Sequence, residues 1–138
     1  MIRLTDRVGE LQLVIGTAHI ALGVARFGPT LRAIARDGVI GVTQGDRERE
    51  TAVWFLTSGA GLLLAGGLAR WAQRRTGTVP AAYGAGLLGL GLAGAALIPR
   101  SGFWVVAANG LLALAASRAD GEQIPGAVRH IDLPPPSR

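Results

Sequence analysis

The sequence predicts an all-α protein, a four-helix transmembrane bundle with a short interfacial helix after the first span. Of its 138 residues, 49% are hydrophobic and 17% are charged, below the roughly 25% charged residues of soluble domains. The apolar residues fall into four stretches separated by polar segments. All seven aromatic residues lie at or near the ends of those stretches. Aromatic rings collect at the two surfaces of a bilayer, so this distribution indicates membrane spans.

The four apolar stretches define one predicted membrane domain, residues 1–118. We predict spans at about residues 8–27, 52–71, 80–98 and 102–117, each close to one bilayer thickness or somewhat shorter. The first stretch is interrupted by Gln12 and His19 and has no clean small-x-small cleavage site, so it is predicted to be a retained helix rather than a signal peptide. The polar, proline-containing residues 119–138 are predicted to form a disordered tail.

Charged residues and prolines indicate where the helices begin and end. Asp46 and Glu48 place negative charge at the N-terminus of the second helix, where the helix dipole favours it. Pro80 suits the first turn of the third helix, and Pro99 ends that helix. Between the first two spans, residues 29–37 have one apolar and one arginine-bearing face. They are predicted to form a helix on the membrane surface, with an ordinary loop as the alternative.

The distribution of arginine predicts the orientation. All fourteen basic residues are arginine, and the net charge is +5. Eight arginines fall on the side of the two termini and six on the other. Because positive residues favour the cytoplasmic side, both termini are expected there, and the cluster Arg70, Arg74 and Arg75 in the short second loop is the stronger indication. The arginines form no stripe with interleaved aromatics, so no nucleic-acid partner is expected.

Small residues at every fourth position predict close helix packing. In lipid, helices associate where small side chains let their backbones approach. We therefore expect these ridges to hold a tight bundle, with chance spacing in an Ala- and Gly-rich chain as the alternative. The predicted ridges are Thr17, Ala21 and Ala25; Thr57, Gly61, Ala65 and Ala69; and Ala81, Ala85, Gly89 and Ala93.

The predicted functional site is a polar layer at one depth of the bundle. His19, Ser58 and Asn109 each lie seven residues inside the outer end of a helix, about 10 Å below the outer surface. These side chains can donate and accept hydrogen bonds to a small ligand. We expect a lipophilic or weakly polar ligand in a pocket open to the outer face. The predicted ligand-binding residues are His19, Ser58, Asn109, Gln12, Trp54 and Trp104.

Three other functions stay open or are disfavoured. Polar side chains also hydrogen-bond between membrane helices, so the protein can be a structural or accessory subunit of a larger complex. His19 can carry a proton, as in a small transporter or proton-linked channel. Catalysis is not expected, because His19 has no carboxylate partner in the spans. With no cysteine and two distant histidines, no metal and no cofactor are predicted.

Four short motifs, in this order, resemble a family of small bacterial four-helix membrane proteins known only as a domain of unknown function. The resemblance implies four spans in the bacterial inner membrane and no particular activity. Membrane lipids, a homodimer or a larger membrane complex are the expected partners. Small four-span multidrug exporters are similar in size, yet they rely on a membrane-embedded glutamate where this chain has His19. The motifs are Gly16-x-x-His19-x-x-x-Gly23, Asp37-Gly38, Trp54-Phe55-Leu56 with Gly59 and Leu62-Leu63-Leu64, and Pro99-x-Ser101-Gly102-Phe103-Trp104.

Overall fold

The chain forms four α-helices in the computed structural model, which describes residues 7–121. Within these residues there is no β-strand, so the all-α prediction with four helices is confirmed. The fourth helix continues to Gly121, and the rest of the predicted tail lies outside the described residues. The helices are α1 (Val8–Asp37), α2 (Arg47–Thr76), α3 (Ala81–Leu97) and α4 (Phe103–Gly121).

Helix α1 is longer than predicted. It continues through Pro29 to Asp37, so the predicted interfacial helix after the first span is instead the last part of α1. Pro29 removes only one backbone donor, the N–H that would bond to the carbonyl of Ala25. The neighbouring helix supports the extension, because the Thr30 hydroxyl donates to a Glu48 carboxylate oxygen at 2.6 Å.

The start of α2 is capped as the sequence predicts. Asp46 precedes the helix, and its carboxylate accepts hydrogen bonds from the N–H groups of Glu48 and Arg49, both at 3.1 Å. These bonds satisfy two of the backbone donors that a helix leaves free at its N-terminus. Arg49 also pairs with Asp37 at 2.6 Å and with Asp46 at 3.1 Å. The two ends of the α1–α2 loop are therefore joined.

Helices α1 and α2 are antiparallel and touch along glycines spaced seven residues apart. A Cβ added at Gly16 would lie 2.9 Å from the backbone nitrogen of Leu63, and one at Gly66 would lie 2.8 Å from that of Leu13. A seven-residue period keeps the same face of each helix along the contact when the pair coils gently. The buried glycines of this seam are Gly9, Gly16 and Gly23 on α1 and Gly59 and Gly66 on α2.

Helices α3 and α4 form a second hairpin of the same kind. Gly84 and Gly91 on α3 are seven residues apart and buried against α4. A Cβ added at Gly84 would lie 2.8 Å from the backbone nitrogen of Leu114. Gly110 on α4 faces the backbone of Leu88 in return. Both hairpins thus use backbone-to-backbone contact rather than large interlocking side chains.

The two hairpins meet at the end of the molecule where α1 begins and α2 finishes. The buried core there contains one residue from each neighbouring segment: Val8, Ala69, Val79 and Ala113. Tyr83 and Leu112 pack against this core. We call this region the junction.

The predicted ridges of small residues do not form the helix contacts. Gly61 and Gly89 have no atom within 4 Å of a Cβ built on them, and the other ridge residues are exposed except for Ala65, which is half-buried, and Ala69, which is buried. The prediction that these ridges hold the bundle is therefore wrong for the monomer. Spacing of four suits right-handed helix crossings, whereas the observed seams follow a spacing of seven.

Two of the four helices are long and apolar enough to cross a membrane by length and composition. The most apolar 18-residue windows of α1 and α2 have mean hydropathies of 1.5 and 1.6. Helix α3 and the part of α4 from Phe103 to Arg118 are apolar but shorter. Only 28% of the window in α1 and 22% of that in α2 is buried within the protein. Most of their apolar surface therefore faces outward.

Candidate functional site

The most buried polar contact joins the two hairpins. Gln12 on α1 is fully buried, and Asn109 on α4 is 3% exposed. The Asn109 amide Nδ2 donates to Gln12 Oε1 at 2.9 Å and to the backbone carbonyl of Val8 at 3.4 Å. Because a buried amide is costly unless it is hydrogen-bonded, this pair favours one particular way of docking the hairpins.

The hydrogen bonding of this amide pair is only half complete. Gln12 Nε2 and Asn109 Oδ1 are buried and have no hydrogen-bond partner among the described residues. Tyr83 packs against the core that contains Val8. Its hydroxyl is also buried and has no hydrogen-bond partner among the described residues. The junction therefore has one donor, one acceptor and one hydroxyl with unused hydrogen-bonding capacity.

His19 lies at the contact between α1 and α2. Its Nε2 is 3.0 Å from the backbone carbonyl oxygen of Phe55, so Nε2 carries the hydrogen and donates it. The imidazole also stacks on the Phe55 ring, with centroids 4.0 Å apart and planes at 13°. Its Cδ2 lies 3.0 Å from a Cβ built on Gly59. The histidine thus fills the space opened by a glycine on the facing helix.

The other three predicted site residues lie at the surface. The Ser58 hydroxyl donates to the carbonyl of Trp54 on its own helix at 2.8 Å, and Trp54 is 70% exposed. The Trp104 indole N–H donates to the carbonyl of Pro99 at 3.0 Å, and its side chain is 55% exposed. These contacts are local, and none of them joins one helix to another.

The six predicted ligand-binding residues therefore do not form one group in the structure. His19 and Ser58 lie near the same level, because Gly59 touches His19. Asn109 instead pairs with Gln12, which is seven residues and about 10 Å along α1 from His19. A shallow surface concavity lies on the last part of α1, and none of the six residues lines it; its lining residues are Pro29, Arg32, Ala35 and Arg36.

The sequence prediction missed two residues at the junction. Gln73, near the end of α2, accepts a hydrogen bond from the Gly9 backbone N–H at 3.0 Å, so it caps the first turn of α1 from the facing helix. Tyr83 is the second; the sequence predicts it only as one of the seven aromatic residues at the membrane surface, whereas the structure packs it against the core of the junction. Gln73 follows Ala52, Gly59 and Gly66 at the same spacing of seven, which was the available signal.

Potential metal ligands do not cluster in residues 7–121. That part of the chain has no group of three or more histidine, cysteine, aspartate or glutamate side chains that could hold a metal ion. The polar groups that are brought together are amides, one phenol and backbone carbonyls. Such groups can bind a partner by hydrogen bonding.

These features define a class of small all-α proteins, with two glycine-packed helical hairpins joined by a buried amide pair. A sequence model of a protein family of unknown function, DUF6463, matches residues 3–120. The chain belongs to this family, and the resemblance to an uncharacterised domain family is confirmed. No curated protein and no solved structure matches the chain.

Proposed function

We propose that this protein is an integral membrane protein whose four helices lie in the bilayer. The supporting observation is the outward apolar surface of every helix. Leu22, Leu64, Leu90 and Leu111, one on each helix, are 62%, 66%, 53% and 56% exposed. The core helix of a soluble protein would bury such residues, whereas lipid solvates them.

Within the membrane, the protein acts as a structural or accessory subunit that packs against other transmembrane helices. The observation that carries this proposal is the outward direction of the small-residue ridges. Gly61 on α2 and Gly89 on α3 have open space beside them, and ridge neighbours such as Thr57 and Ala85 are exposed. Because small residues let a second helix approach its neighbour's backbone closely, these faces suit helix–helix association in lipid.

The contacts of the polar residues favour this role over catalysis. His19 is bonded to Phe55 across the α1–α2 seam, and Asn109 to Gln12 across the junction. Both bonds hold helices together, as such side chains commonly do in membrane proteins. His19, Gln12 and Asn109 thus each form a hydrogen bond between helices, and on this ground we propose a non-enzymatic role.

Association is tested by native mass spectrometry from a mild detergent. The wild-type chain is expected as a homo-oligomer or with a larger membrane partner. Gly61→Leu should abolish that assembly, because the side chain would cover the ridge on α2. Gly67→Leu is the matched control: Gly67 is equally open but lies about 120° around the helix from Gly61. A wild-type chain found only as a monomer, or equal assembly of both variants, would refute the proposal.

A ligand pocket at His19 is the second candidate. Trp54 and Ser58, one turn apart on α2, lie next to Phe55 and Gly59, which contact His19. A small lipophilic molecule bound there should be lost on His19→Ala, and its mass should disappear from the spectrum of the protein. Retention of that mass in the variant would exclude His19 from the site.

The proton-linked transport alternative predicts pH-dependent flux in liposomes that His19→Gln alters. Flux equal to that of empty vesicles would exclude it.

The proposed location is the bacterial inner membrane, with both termini in the cytoplasm. Among the described charged side chains, the end formed by the start of α1 and the end of α2 has five arginines and one glutamate. The opposite end has six arginines and four carboxylates. The first end thus has the larger excess of arginines over carboxylates, which agrees with the orientation expected from the sequence.

A further inference from the structure

The last turns of α2 present four side chains that we call the arginine–tryptophan cluster: Arg70, Trp71, Arg74 and Arg75. Trp71 is 59% exposed, and the Arg75 guanidinium lies 5.7 Å from the centre of its ring. This cation–π contact holds a guanidinium beside an exposed indole. Arg74 lies one turn after Arg70, on the same face of the helix.

Among the described residues, the positive charge of the cluster is only partly balanced by carboxylates. Glu10 is shared between Arg7 at 3.6 Å and Arg70 at 3.8 Å. Within residues 7–121, neither Arg74 nor Arg75 forms an ion pair. The beginning of α2 differs, since Arg49 there is paired with two carboxylates. Within residues 7–121, Arg74 and Arg75 therefore leave two exposed guanidinium groups without a carboxylate partner for an external anion to meet.

Arg70 adds unused hydrogen-bonding capacity. Its Nε is buried and has no hydrogen-bond partner among the described residues, although the side chain as a whole is 42% exposed. Guanidinium groups bind phosphate oxygens through several parallel N–H donors. Because that Nε is buried, the donors within reach of a phosphate are mainly those of the exposed Arg74 and Arg75 side chains, which supply both charge and directed N–H groups.

The surface next to the cluster indicates a lipid rather than a free anion. Leu64, Leu68, Trp71 and Arg75 are spaced by four, three and four residues, so they lie along one face of α2. The two leucines are 66% and 59% exposed. Along the helix, this face changes from aliphatic to aromatic to cationic. A bilayer has matching layers in the same order: acyl chains, the membrane–water interface and the headgroups.

We propose that the arginine–tryptophan cluster binds the phosphate headgroup of an anionic phospholipid, with the acyl chains along Leu64 and Leu68. The inference rests on the proposed insertion of α2 into the bilayer. It adds a specific lipid class to a surface that would otherwise be a general membrane contact. It also places the end of α2 at the leaflet that supplies anionic lipid.

Trp71 provides a local reporter for this proposal. The chain has three tryptophans, so Trp54→Phe and Trp104→Phe leave Trp71 alone. The full chain is reconstituted in phosphatidylcholine vesicles that contain brominated phosphatidylglycerol or, at the same mole fraction, brominated phosphatidylcholine. Trp71 should be quenched at least about threefold more strongly by brominated phosphatidylglycerol than by brominated phosphatidylcholine. High salt should reduce this difference.

Two charge variants locate the preference. Arg74→Gln with Arg75→Gln should remove it, whereas Arg32→Gln with Arg36→Gln, at the other end of the molecule, should leave it unchanged. Equal quenching of Trp71 by both lipids would overturn the proposal, as would a preference that survives loss of Arg74 and Arg75. Absence of quenching by either lipid would instead contradict membrane insertion, so the two failures are distinguishable.

Inorganic phosphate separates the lipid from a free anion. Added to the vesicles at matched ionic strength, it should leave the quenching by brominated phosphatidylglycerol unchanged. Displacement of the lipid by phosphate alone would overturn the assignment to a phospholipid. A lower melting temperature of the Arg74→Gln and Arg75→Gln variant without any change in lipid preference would also overturn it, because those arginines would then serve only the C-terminal dipole of α2.

Discussion

At the scale of single residues, the amides of Gln12 and Asn109 determine how the hairpins dock. Each is almost completely buried, and each is the other's main side-chain partner. Removing one amide leaves the other buried without a partner, which costs more than removing both. The pair therefore supplies specificity, since a rotated or shifted hairpin would lose the same bond.

Substitution of this pair should show strong coupling. Gln12→Leu and Asn109→Ala are each expected to destabilise the folded protein by about 1–3 kcal/mol. The double variant should be less destabilised than the sum, with a coupling energy of about 0.6–2 kcal/mol. Unfolding in mixed micelles with increasing SDS measures all three free energies. Additive losses would show that the two side chains do not interact across the junction.

Sequence reasoning found one member of this pair and misplaced the other. Gln12 is predicted as a ligand-binding residue on the first span, and the structure buries it completely. The prediction gives His19 and Asn109 the same depth because each lies seven residues inside the predicted outer end of its helix, and this requires those two ends to be level. In the structure α1 continues to Asp37, while α3 and α4 form a shorter hairpin. Position along a helix gives depth only when the neighbouring helix ends are level.

At the scale of elements, seams of glycine define the two hairpins. The contacts repeat every seven residues on α1 and α2, so only some of the glycines in each helix touch a neighbour. Gly66 faces the backbone of Leu13, whereas Gly61 faces open space. The same residue type therefore has opposite roles on two faces of one helix.

This difference predicts opposite effects of the same substitution. Gly66→Ala should destabilise the protein by about 1–3 kcal/mol, because the added methyl must push the α1 backbone away. Gly61→Ala should leave stability unchanged or raise it by up to about 1 kcal/mol, because alanine favours helix and the site is open. Thermal unfolding in detergent checks both variants. Equal effects would mean that α1 and α2 do not pack along the glycine seam.

The number of helices and several of their ends were predictable from the sequence, but the full length of α1 and the helix seams were not. Asp46 marked the start of α2, and Pro99 marked the end of α3, because caps and proline act locally. The predicted ridges have a spacing of four, whereas Gly9, Gly16 and Gly23 follow a spacing of seven in the same sequence. Local sequence does not decide between two small-residue faces, because that choice depends on which helix lies opposite.

At the scale of the whole molecule, the protein buries little of its apolar surface. The hairpins are tight inside but meet mainly at the junction, so the three tryptophans and at least one leucine on every helix are exposed. In water such a molecule would leave large apolar surfaces exposed, whereas acyl chains and other helices would cover them. The proposed membrane insertion and the proposed association with further helices both rest on this one property.

Membrane insertion is tested most directly by labelling single cysteines, because the chain has no cysteine of its own. Leu22→Cys, Leu64→Cys and Leu90→Cys lie on exposed parts of α1, α2 and α3, whereas Ile40→Cys replaces a fully exposed residue in the loop between α1 and α2. A water-soluble maleimide, applied to membranes of expressing cells, should label Ile40→Cys quickly and the three helix positions hardly at all. In intact cells the loop should also be labelled from outside. Equal labelling of all four positions would contradict the account, because the apolar faces of the helices would then be in water.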